Sequence, residues 1–158
     1  MPKLPKLRTI IVDDEPLALR LLESILARFP DIEVIDRCRN GREAIRAVQQ
    51  GEPDLLILDI QMPGISGFDL VKELQADLLP MVIFCTAYQR YAVEAFDLHA
   101  VDYLLKPVNA GRLQLALDRA QARYQAASEE GGAEEKSALI GAIDEIATRV
   151  NGKSESVE

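Results

Sequence analysis

Two adjacent carboxylates, Asp13 and Asp14, follow directly on the apolar run Leu7–Val12. Like charges at the end of a buried strand raise each other's pKa and destabilise the fold unless a cation lies between them. Three further polar side chains end or directly follow later apolar runs of the chain: Asp59, Thr86 and Lys106. Three carboxylates, one hydroxyl and one ammonium are together suited to binding a cation with a phosphate group.

Each of these residues also has an ordinary structural explanation. An Asp pair before a helix commonly caps it and complements the helix dipole. A lone Asp at a strand end is usually solvated, Thr is common in strands, and a Lys beside a turn is usually exposed. The order of all five along successive strands nevertheless favours one shared site. Hard oxygen ligands suit Mg²⁺, which keeps several waters and tends to bind together with phosphate.

Apolar runs alternate with amphipathic stretches over the first 127 residues, which predicts five β/α units. The predicted strands are 7–12, 32–38, 54–60, 81–87 and 101–105. The predicted helices are 16–29, a helix capped by Asn40 with Glu43 three residues on, 67–75, 91–96, and a helix from Asn109 to about 125. Continuous apolar strands indicate a parallel sheet that is buried on both faces, and right-handed crossovers place helices on both sides.

The fold class that follows is α/β, a doubly wound, flavodoxin-like (βα)5 domain with a five-stranded parallel sheet. Such folds place their sites outside the carboxyl ends of the strands, at the topological switch point. Asp13, Asp14, Asp59, Thr86 and Lys106 are all predicted to reach that edge.

The chain divides by composition into a domain over 1–127 and an acidic extension over 128–158. The first part carries 15 Lys and Arg against 18 Asp and Glu, and the second carries 3 against 8. The segment SEEGGAEEKS is predicted to be a linker. Beyond it, apolar residues between Leu139 and Val150 recur at helical spacing, which predicts a short amphipathic helix.

Several classes of protein are disfavoured by composition. With 48% apolar residues the chain can build a core, yet it lacks the run of about 20 apolar residues that spans a bilayer. It has neither a secretory signal pattern nor a basic stripe for nucleic acid. Cys38 and Cys85 lack metal-site or redox spacing, so we expect them to pack as small apolar residues. We therefore expect a soluble, cytoplasmic protein.

The motifs VDDEPLA, LLILDIQMPGISGFDL, IFCTAY and DYLLKP resemble those of the receiver domain of two-component response regulators. The resemblance covers about residues 6–125. It implies that Asp59 accepts a phosphoryl group from a sensor histidine kinase, with Mg²⁺ as the cofactor. It also implies a switch that catalyses its own phosphotransfer and dephosphorylation rather than a conventional enzyme.

The same resemblance implies a role for each site residue. Asp13 and Asp14 would form the acid pocket, with Mg²⁺ held by Asp14, Asp59 and the backbone carbonyl of Gln61. The phosphoryl oxygens would be contacted by Thr86 and Lys106. Two further expectations are that Tyr103 is the aromatic switch residue and that the Lys106–Pro107 bond is cis.

The stretch YAVEAFDLHAVDYLLKP more narrowly resembles receivers joined to a LytTR-type DNA-binding domain. We accordingly expect the chain to end near a domain boundary, with 128–158 as a connector. DNA would be contacted only through the domain that the chain lacks. Phosphorylation is expected to reshape the face of the fourth helix, fifth strand and fifth helix, where a second copy would dock.

Three alternatives remain open at the level of sequence. A stand-alone receiver with an acidic tail would need no output domain. A phosphohydrolase of the haloacid dehalogenase type would use Asp13 as its nucleophile and turn over phosphate esters, leaving Asp59 unexplained. A binding-only module would hold metal in the acid pocket and show no phosphate-dependent behaviour, against which Thr86 and Lys106 argue.

Overall fold

The computed structural model describes residues 6–74 and 80–129, with the last two residues described by their backbone alone. Its strands are β1 Leu7–Val12, β2 Ile32–Cys38, β3 Leu55–Leu58, β4 Met81–Thr86 and β5 Asp102–Leu105. Its helices are α1 Pro16–Leu26, α2 Gly41–Gly51, α3 Gly67–Leu74, α4 Ala92–Asp97 and α5 Ala110–Glu129. A single 3₁₀ turn, Gln89–Tyr91, precedes α4.

The five strands form one parallel sheet in the order β2-β1-β3-β4-β5. This order confirms the predicted doubly wound fold. The strand order reverses between β1 and β3, which is where such sheets open a crevice at their carboxyl ends. Val12 pairs with Leu58 in register, so β1 and β3 end side by side and deliver the next residue of each strand to the same edge.

Side chains alternate between two apolar clusters, one on each face of the sheet. Ile10, Leu56 and Phe84 pack on the side of α2 and α3. Ile11 and Ile57 pack on the opposite side, against α1 and α5. Because both faces are buried, every position of these strands favours an apolar residue, which explains the continuous runs in the sequence.

Both predicted helix caps are present. The Asn40 side chain accepts a hydrogen bond from the backbone N–H of Glu43 at 2.9 Å, and the Asn109 side chain accepts one from Arg112 at 2.7 Å. Such caps satisfy N–H groups that have no partner within the helix. They fix where α2 and α5 begin, and therefore where the preceding strands must end.

Several predicted boundaries differ from the structure. Helix α1 ends at Leu26 rather than Phe29, and the N–H groups of Arg28 and Phe29 instead bond to carbonyls three residues back, as in a tightened last turn. Helix α5 continues to Glu129, past the predicted end and past the predicted boundary at residue 127. The rest of the predicted linker and the Leu139–Val150 helix lie outside the described residues. Within the described part, no helix is long and apolar enough to cross a membrane.

Candidate functional site

The ends of β1 and β3 place Asp13 and Asp59 next to each other. The Asp59 N–H donates to the carbonyl of Val12 at 3.0 Å, so the segments that follow β1 and β3 stay hydrogen-bonded just beyond the paired strands. The Asp13 N–H donates to the carbonyl of Cys38, also at 3.0 Å, and ties the same edge to β2. Asp13 is 5% exposed and Asp59 is 8% exposed. Both carboxylates are therefore held by backbone pairing in a largely buried position.

The Lys106 ammonium lies between these two carboxylates. Its Nζ is 2.6 Å from Oδ2 of Asp13 and 3.0 Å from Oδ2 of Asp59. The backbone N–H of Lys106 donates to the carbonyl of Thr86 at 2.8 Å, which fixes the lysine just after β5. The following peptide bond, Lys106–Pro107, is cis as expected. One cation therefore already reduces the repulsion that the adjacent acids create.

Asp14 completes a group of three carboxylates. One carboxylate oxygen from each of Asp13, Asp14 and Asp59 lies within 4.8 Å of the other two. Three negative charges around one ammonium leave an excess of negative charge at the edge of the sheet. Carboxylate oxygens are the donors that Mg²⁺ prefers, and Asp14 is exposed enough to leave room for coordinated water. The residues present therefore fit a divalent cation.

The protonation equilibria follow from burial and from this excess charge. Burial raises the pKa of Asp13, and the nearby charge of Asp59 adds to the rise while Lys106 opposes it. Burial acts to lower the pKa of Lys106, but its hydrogen bonds to the two aspartates outweigh that effect and raise it. The lysine is thus held charged, and a further cation near Asp13 would stabilise the ionised form of that carboxyl.

Gly67, the first residue of α3, allows the backbone of α3 to approach the backbone of Asp59 closely. A Cβ at this position would lie 2.3 Å from the backbone oxygen of Asp59, so any other residue would force the backbone to move. The Gly67 N–H donates to the carbonyl of Ile60 at 2.8 Å. The Ile60 N–H in turn donates to Oδ1 of Asp59 at 2.7 Å. This chain of contacts orients the Asp59 carboxylate and accounts for the glycine in the ISGFDL motif.

Thr86 and Tyr103 lie on the β4 and β5 side of the site. Thr86 is fully buried, and its hydroxyl accepts a hydrogen bond from the N–H of Tyr88 at 3.4 Å. The half-buried Tyr103 donates its hydroxyl hydrogen to the carbonyl of the same Tyr88. Both side chains therefore bond to the backbone of Tyr88, in the segment that follows β4. A movement of one side chain would change the hydrogen bonding of the other through this shared residue.

The loop that follows β3 makes a contact that was not predicted from the sequence. The Gln61 side chain donates from Nε2 to the hydroxyl oxygen of Tyr91 at 2.7 Å. The same oxygen accepts a hydrogen bond from Nη2 of Arg90 at 3.0 Å. No local sequence pattern indicates this contact, because its two residues lie 30 positions apart in separate loops.

A cavity of about 350 Å³ adjoins the site beneath α1. Its lining includes Asp13, Asp59, Lys106 and Cys85. Burial raises the pKa of the Cys85 thiol to about 12, so the thiol stays protonated at neutral pH. Both cysteines are free and buried, in agreement with the predicted packing role.

Known proteins are similar to this chain in both sequence and fold. The family model for the response regulator receiver domain matches residues 9–118. The transcriptional regulatory protein BtsR is 48% identical in Salmonella typhi and 47% identical in Escherichia coli (strain K12). Each match spans 113 residues, which are 72% of this chain and 47% of that protein. The chain therefore spans about half the length of these curated relatives.

Solved structures agree with the sequence relatives. The response regulatory domain of protein mrkE from Klebsiella pneumoniae superposes with a TM-score of 0.69 at 31% identity, covering 75% of this chain and 98% of that one. A signal receiver domain of a putative Luxo repressor protein from Vibrio parahaemolyticus gives a TM-score of 0.71 at 30% identity, covering 80% and 98%. With the acid pocket, the strand order and the matched family model in agreement, the chain belongs to the response regulator receiver domain family of two-component signalling.

Proposed function

We propose that this receiver domain is a switch in which Asp59 accepts a phosphoryl group from a sensor histidine kinase. The observation that supports this assignment is the placement of the Asp59 carboxylate, 8% exposed and 3.0 Å from the Lys106 ammonium, inside the group of three acids. A phosphoryl group transferred to this carboxylate would carry negative charge, and the Lys106 ammonium is already in place to stabilise that charge.

The proposed transfer uses the Asp59 carboxylate as a covalent nucleophile. A carboxylate oxygen attacks the phosphorus of the donor, a phosphorus–oxygen bond to Asp59 forms, and the bond to the donor breaks with its electron pair. A histidine donor then recovers its imidazole. Lys106 stabilises the charge on the transferred group, which is the main task in phosphoryl transfer. Thr86 supplies a hydroxyl to the same oxygens.

We assign the cofactor as Mg²⁺, held by Asp14, Asp59 and the backbone carbonyl of Gln61, with Asp13 in the surrounding acid pocket. The fit depends on the three carboxylate oxygens that lie within 4.8 Å of one another. When bound, Mg²⁺ supplies Lewis-acid neutralisation of phosphoryl charge. The same residues would support the slow loss of the phosphoryl group to water, by which the switch resets itself.

Phosphorylation is proposed to act through Thr86 and Tyr103. The new charge draws the Thr86 hydroxyl away from Tyr88, and the Tyr103 ring moves toward the space that is vacated. The affected surface, formed by α4, β5 and α5, carries exposed apolar side chains, including Val93 at 69%, Phe96 at 43% and Leu105 at 43%. We propose that two phosphorylated copies dock through this surface.

The proposed output is regulation of transcription. The BtsR relatives are transcriptional regulatory proteins, and this chain matches about half of each. We propose that a LytTR-type DNA-binding domain follows the receiver in the complete protein and that 128–158 connects the two. Membership of the receiver domain family, which the match over residues 9–118 supports, argues against the hydrolase alternative. The proposal therefore keeps Asp59, and not Asp13, as the nucleophile.

Intact mass spectrometry tests the phosphoacceptor. Wild-type protein and the Asp59→Asn variant are incubated with Mg²⁺ and acetyl phosphate. We expect one phosphoryl group on the wild type, labile to hydroxylamine, and none on the variant. If neither acetyl phosphate nor fluoroberyllate acts on the wild type, the binding-only alternative replaces the switch.

The dimer is tested on the same samples by size-exclusion chromatography with light scattering. Phosphoryl or fluoroberyllate loading is expected to raise the molar mass toward that of a dimer. An unchanged monomer over a range of protein concentrations would refute docking through α4, β5 and α5 for this chain.

A further inference from the structure

We propose that the left-handed backbone of His99 is a strained cap on α4 that belongs to the unphosphorylated conformation alone, so that release of the strain favours the phosphorylated one. We call the turn from Leu98 to Ala100 the α4 cap. The proposal rests on the switch proposed above, in which Asp59 is phosphorylated and the surface of α4, β5 and α5 changes. It specifies one source of the free energy that drives this change.

The α4 cap has the hydrogen-bonding pattern of a Schellman motif. The N–H of His99 donates to the carbonyl of Phe96 at 2.9 Å, and the N–H of Ala100 donates to the carbonyl of Ala95 at 3.2 Å. This pattern requires a left-handed residue at its centre, which is usually glycine. The residue here is His99, with a φ of 61°. A Cβ disfavours this conformation, although His adopts it more often than most residues do. Helix α4 therefore ends at a strained residue.

His99 lies where the three elements of the proposed switching surface meet. Helix α4 ends at Asp97 and β5 begins at Asp102, so the α4 cap is the connection between them. From α5, Nη1 of Arg123 donates to the carbonyl of His99 at 3.3 Å. A displacement of α4 relative to β5 and α5 must therefore be accommodated by the few residues around His99.

Helix α4 buries little of its own surface. Of its six residues only Ala95 is buried, and Val93 and Phe96 are exposed. At the other end of the helix, the hydroxyl of Tyr103 donates to the carbonyl of Tyr88, just before the 3₁₀ turn that leads into α4. A movement of Tyr103 on phosphorylation would remove this support. The strain of the α4 cap would then favour rearrangement of the helix over its retention.

The strain is large enough to bias a conformational equilibrium. A left-handed backbone disfavours a residue with a Cβ relative to glycine by about three- to tenfold in an equilibrium constant. If only one conformation contains the strain, its removal favours that conformation by the same factor. A ligand that binds the other conformation then binds more weakly by about this factor. The affinity for a phosphoryl mimic therefore reports the strain.

The first test measures fluoroberyllate binding to the His99→Gly variant, which removes the Cβ at the left-handed position. Isothermal titration calorimetry with excess Mg²⁺ gives the dissociation constant. We expect this constant to rise by about three- to tenfold relative to the wild type. The thermal midpoint of the unliganded variant should rise by about 1–4 °C, because the unphosphorylated conformation has lost its strain.

Glu52 provides the matched control, because it also has a left-handed backbone. It ends α2 with a φ of 46°, and its carbonyl accepts a hydrogen bond from Nη1 of Arg8 at 3.3 Å. It lies between α2 and β3, away from the surface of α4, β5 and α5. Glu52→Gly should therefore raise the thermal midpoint to a similar extent, yet leave the fluoroberyllate dissociation constant within about twofold of the wild type.

The His99→Ala variant separates the backbone strain from the imidazole. Alanine keeps a Cβ, so the left-handed backbone stays strained, whereas the imidazole and its contacts are removed. Its fluoroberyllate dissociation constant should stay within about twofold of the wild type. A rise in His99→Ala equal to that in His99→Gly would assign the effect to the imidazole and overturn the proposal.

The outcomes distinguish the α4 cap from the function on which it rests. Normal fluoroberyllate binding with equal dissociation constants for wild type and His99→Gly would overturn the α4 cap alone. Equal thermal midpoints for these two proteins would also overturn it, because no strain would have been released. If the wild type neither binds fluoroberyllate nor gains a phosphoryl group from acetyl phosphate, the phosphoacceptor role is overturned, and the α4 cap with it.

Discussion

Largely buried carboxylates face cations at two sites in this domain, and the ratio of negative to positive charges is opposite at the two sites. Asp102, at the start of β5, receives two hydrogen bonds of 2.7 Å from Arg112 and one of 2.8 Å from Arg119. Burial acts to raise the pKa of Asp102, but hydrogen bonds from Arg112 and from the backbone N–H of Tyr103, together with the charges of the two arginines, outweigh it and lower the pKa. Here one carboxylate has two cations, and its charged form is stabilised.

The acid pocket has the reverse ratio. Asp13, Asp14 and Asp59 lie together there, and the ammonium of Lys106 bonds to two of them, Asp13 and Asp59. The pKa of Asp13 is raised. The two arginines fully compensate the charge of Asp102, so this cluster needs no further ion and can have a purely structural role. The acid pocket lowers its free energy when a further cation enters. Burial is similar in the two places, so the local balance of charge is what separates a structural site from a binding site.

Removal of the Lys106 ammonium from the acid pocket is expected to have the largest effect on stability and tests whether this cation compensates the buried acids. In Mg²⁺-free buffer near pH 7, Lys106→Met is expected to lower the free energy of unfolding by about 2–3 kcal/mol, because two buried carboxylates then face each other without compensation. Added Mg²⁺ should restore part of the loss by binding between them. Urea denaturation with and without Mg²⁺ measures both effects.

The matched control for this change is Lys72→Met, which removes an exposed ammonium on α3. Its free energy of unfolding should stay within about 0.5 kcal/mol of the wild type. Equal losses from the two lysine variants would show that Lys106 does not compensate the buried acids.

Neutralising Asp102 is expected to have the next largest effect. Asp102→Asn should lower the free energy of unfolding at neutral pH by about 1–2 kcal/mol, a figure moderated by the exposure of Arg112 and Arg119 at 38% and 58%. A carboxyl whose pKa is lowered on folding adds stability above its unfolded pKa of about 3.9 and loses that contribution as pH falls through the folded pKa. The difference from the wild type should therefore be constant above about pH 5 and shrink in more acidic buffer.

Urea titrations at several pH values measure this dependence, with Asp118→Asn as the control. Asp118 is an exposed carboxylate on the same helix as Arg112 and Arg119. A difference between wild type and Asp102→Asn that stayed constant down to the acid transition would show that the arginines do not stabilise the ionised form.

The two carboxylate sites also differ in how far the sequence revealed them. The acid pocket was predictable because its members end successive strands, and a parallel sheet brings strand ends together. The convergence of Asp13, Asp14, Asp59 and Lys106 is confirmed by their distances. Direct pairing of Lys106 with both acids was not anticipated, because sequence order fixes the edge that a side chain reaches but not its partner.

The Asp102 cluster and the contact between Gln61 and Tyr91 were missed for a related reason. Arg112 and Arg119 lie seven residues apart on α5, so helical periodicity shows that they share a face. Which strand that face covers depends on how α5 packs, which local pattern does not specify. The contact between Gln61 and Tyr91 joins two loops 30 residues apart. The strand and helix order was predictable from periodicity, and contacts between separate loops were not.

The smallest expected effect gives the sharpest test, because it applies the same substitution to both regions. Asp59→Asn removes one of the acids that share Lys106, while Asn can still accept the hydrogen bond from Ile60. In Mg²⁺-free buffer we expect the free energy of unfolding to rise by about 0.5 kcal/mol. A neutral amide costs less to bury than a carboxylate and no longer repels Asp13 and Asp14, and these gains together exceed the lost attraction to Lys106. Asp102→Asn lowers the same quantity, so one chemical change should have opposite signs at two buried aspartates. Loss of stability at both positions would mean that burial and hydrogen bonding, rather than the ratio of charges, set the stability of each site.

Mg²⁺ titration of the Asp59→Asn variant provides the second half of the test, because the stabilisation by Mg²⁺ should be smaller than in the wild type.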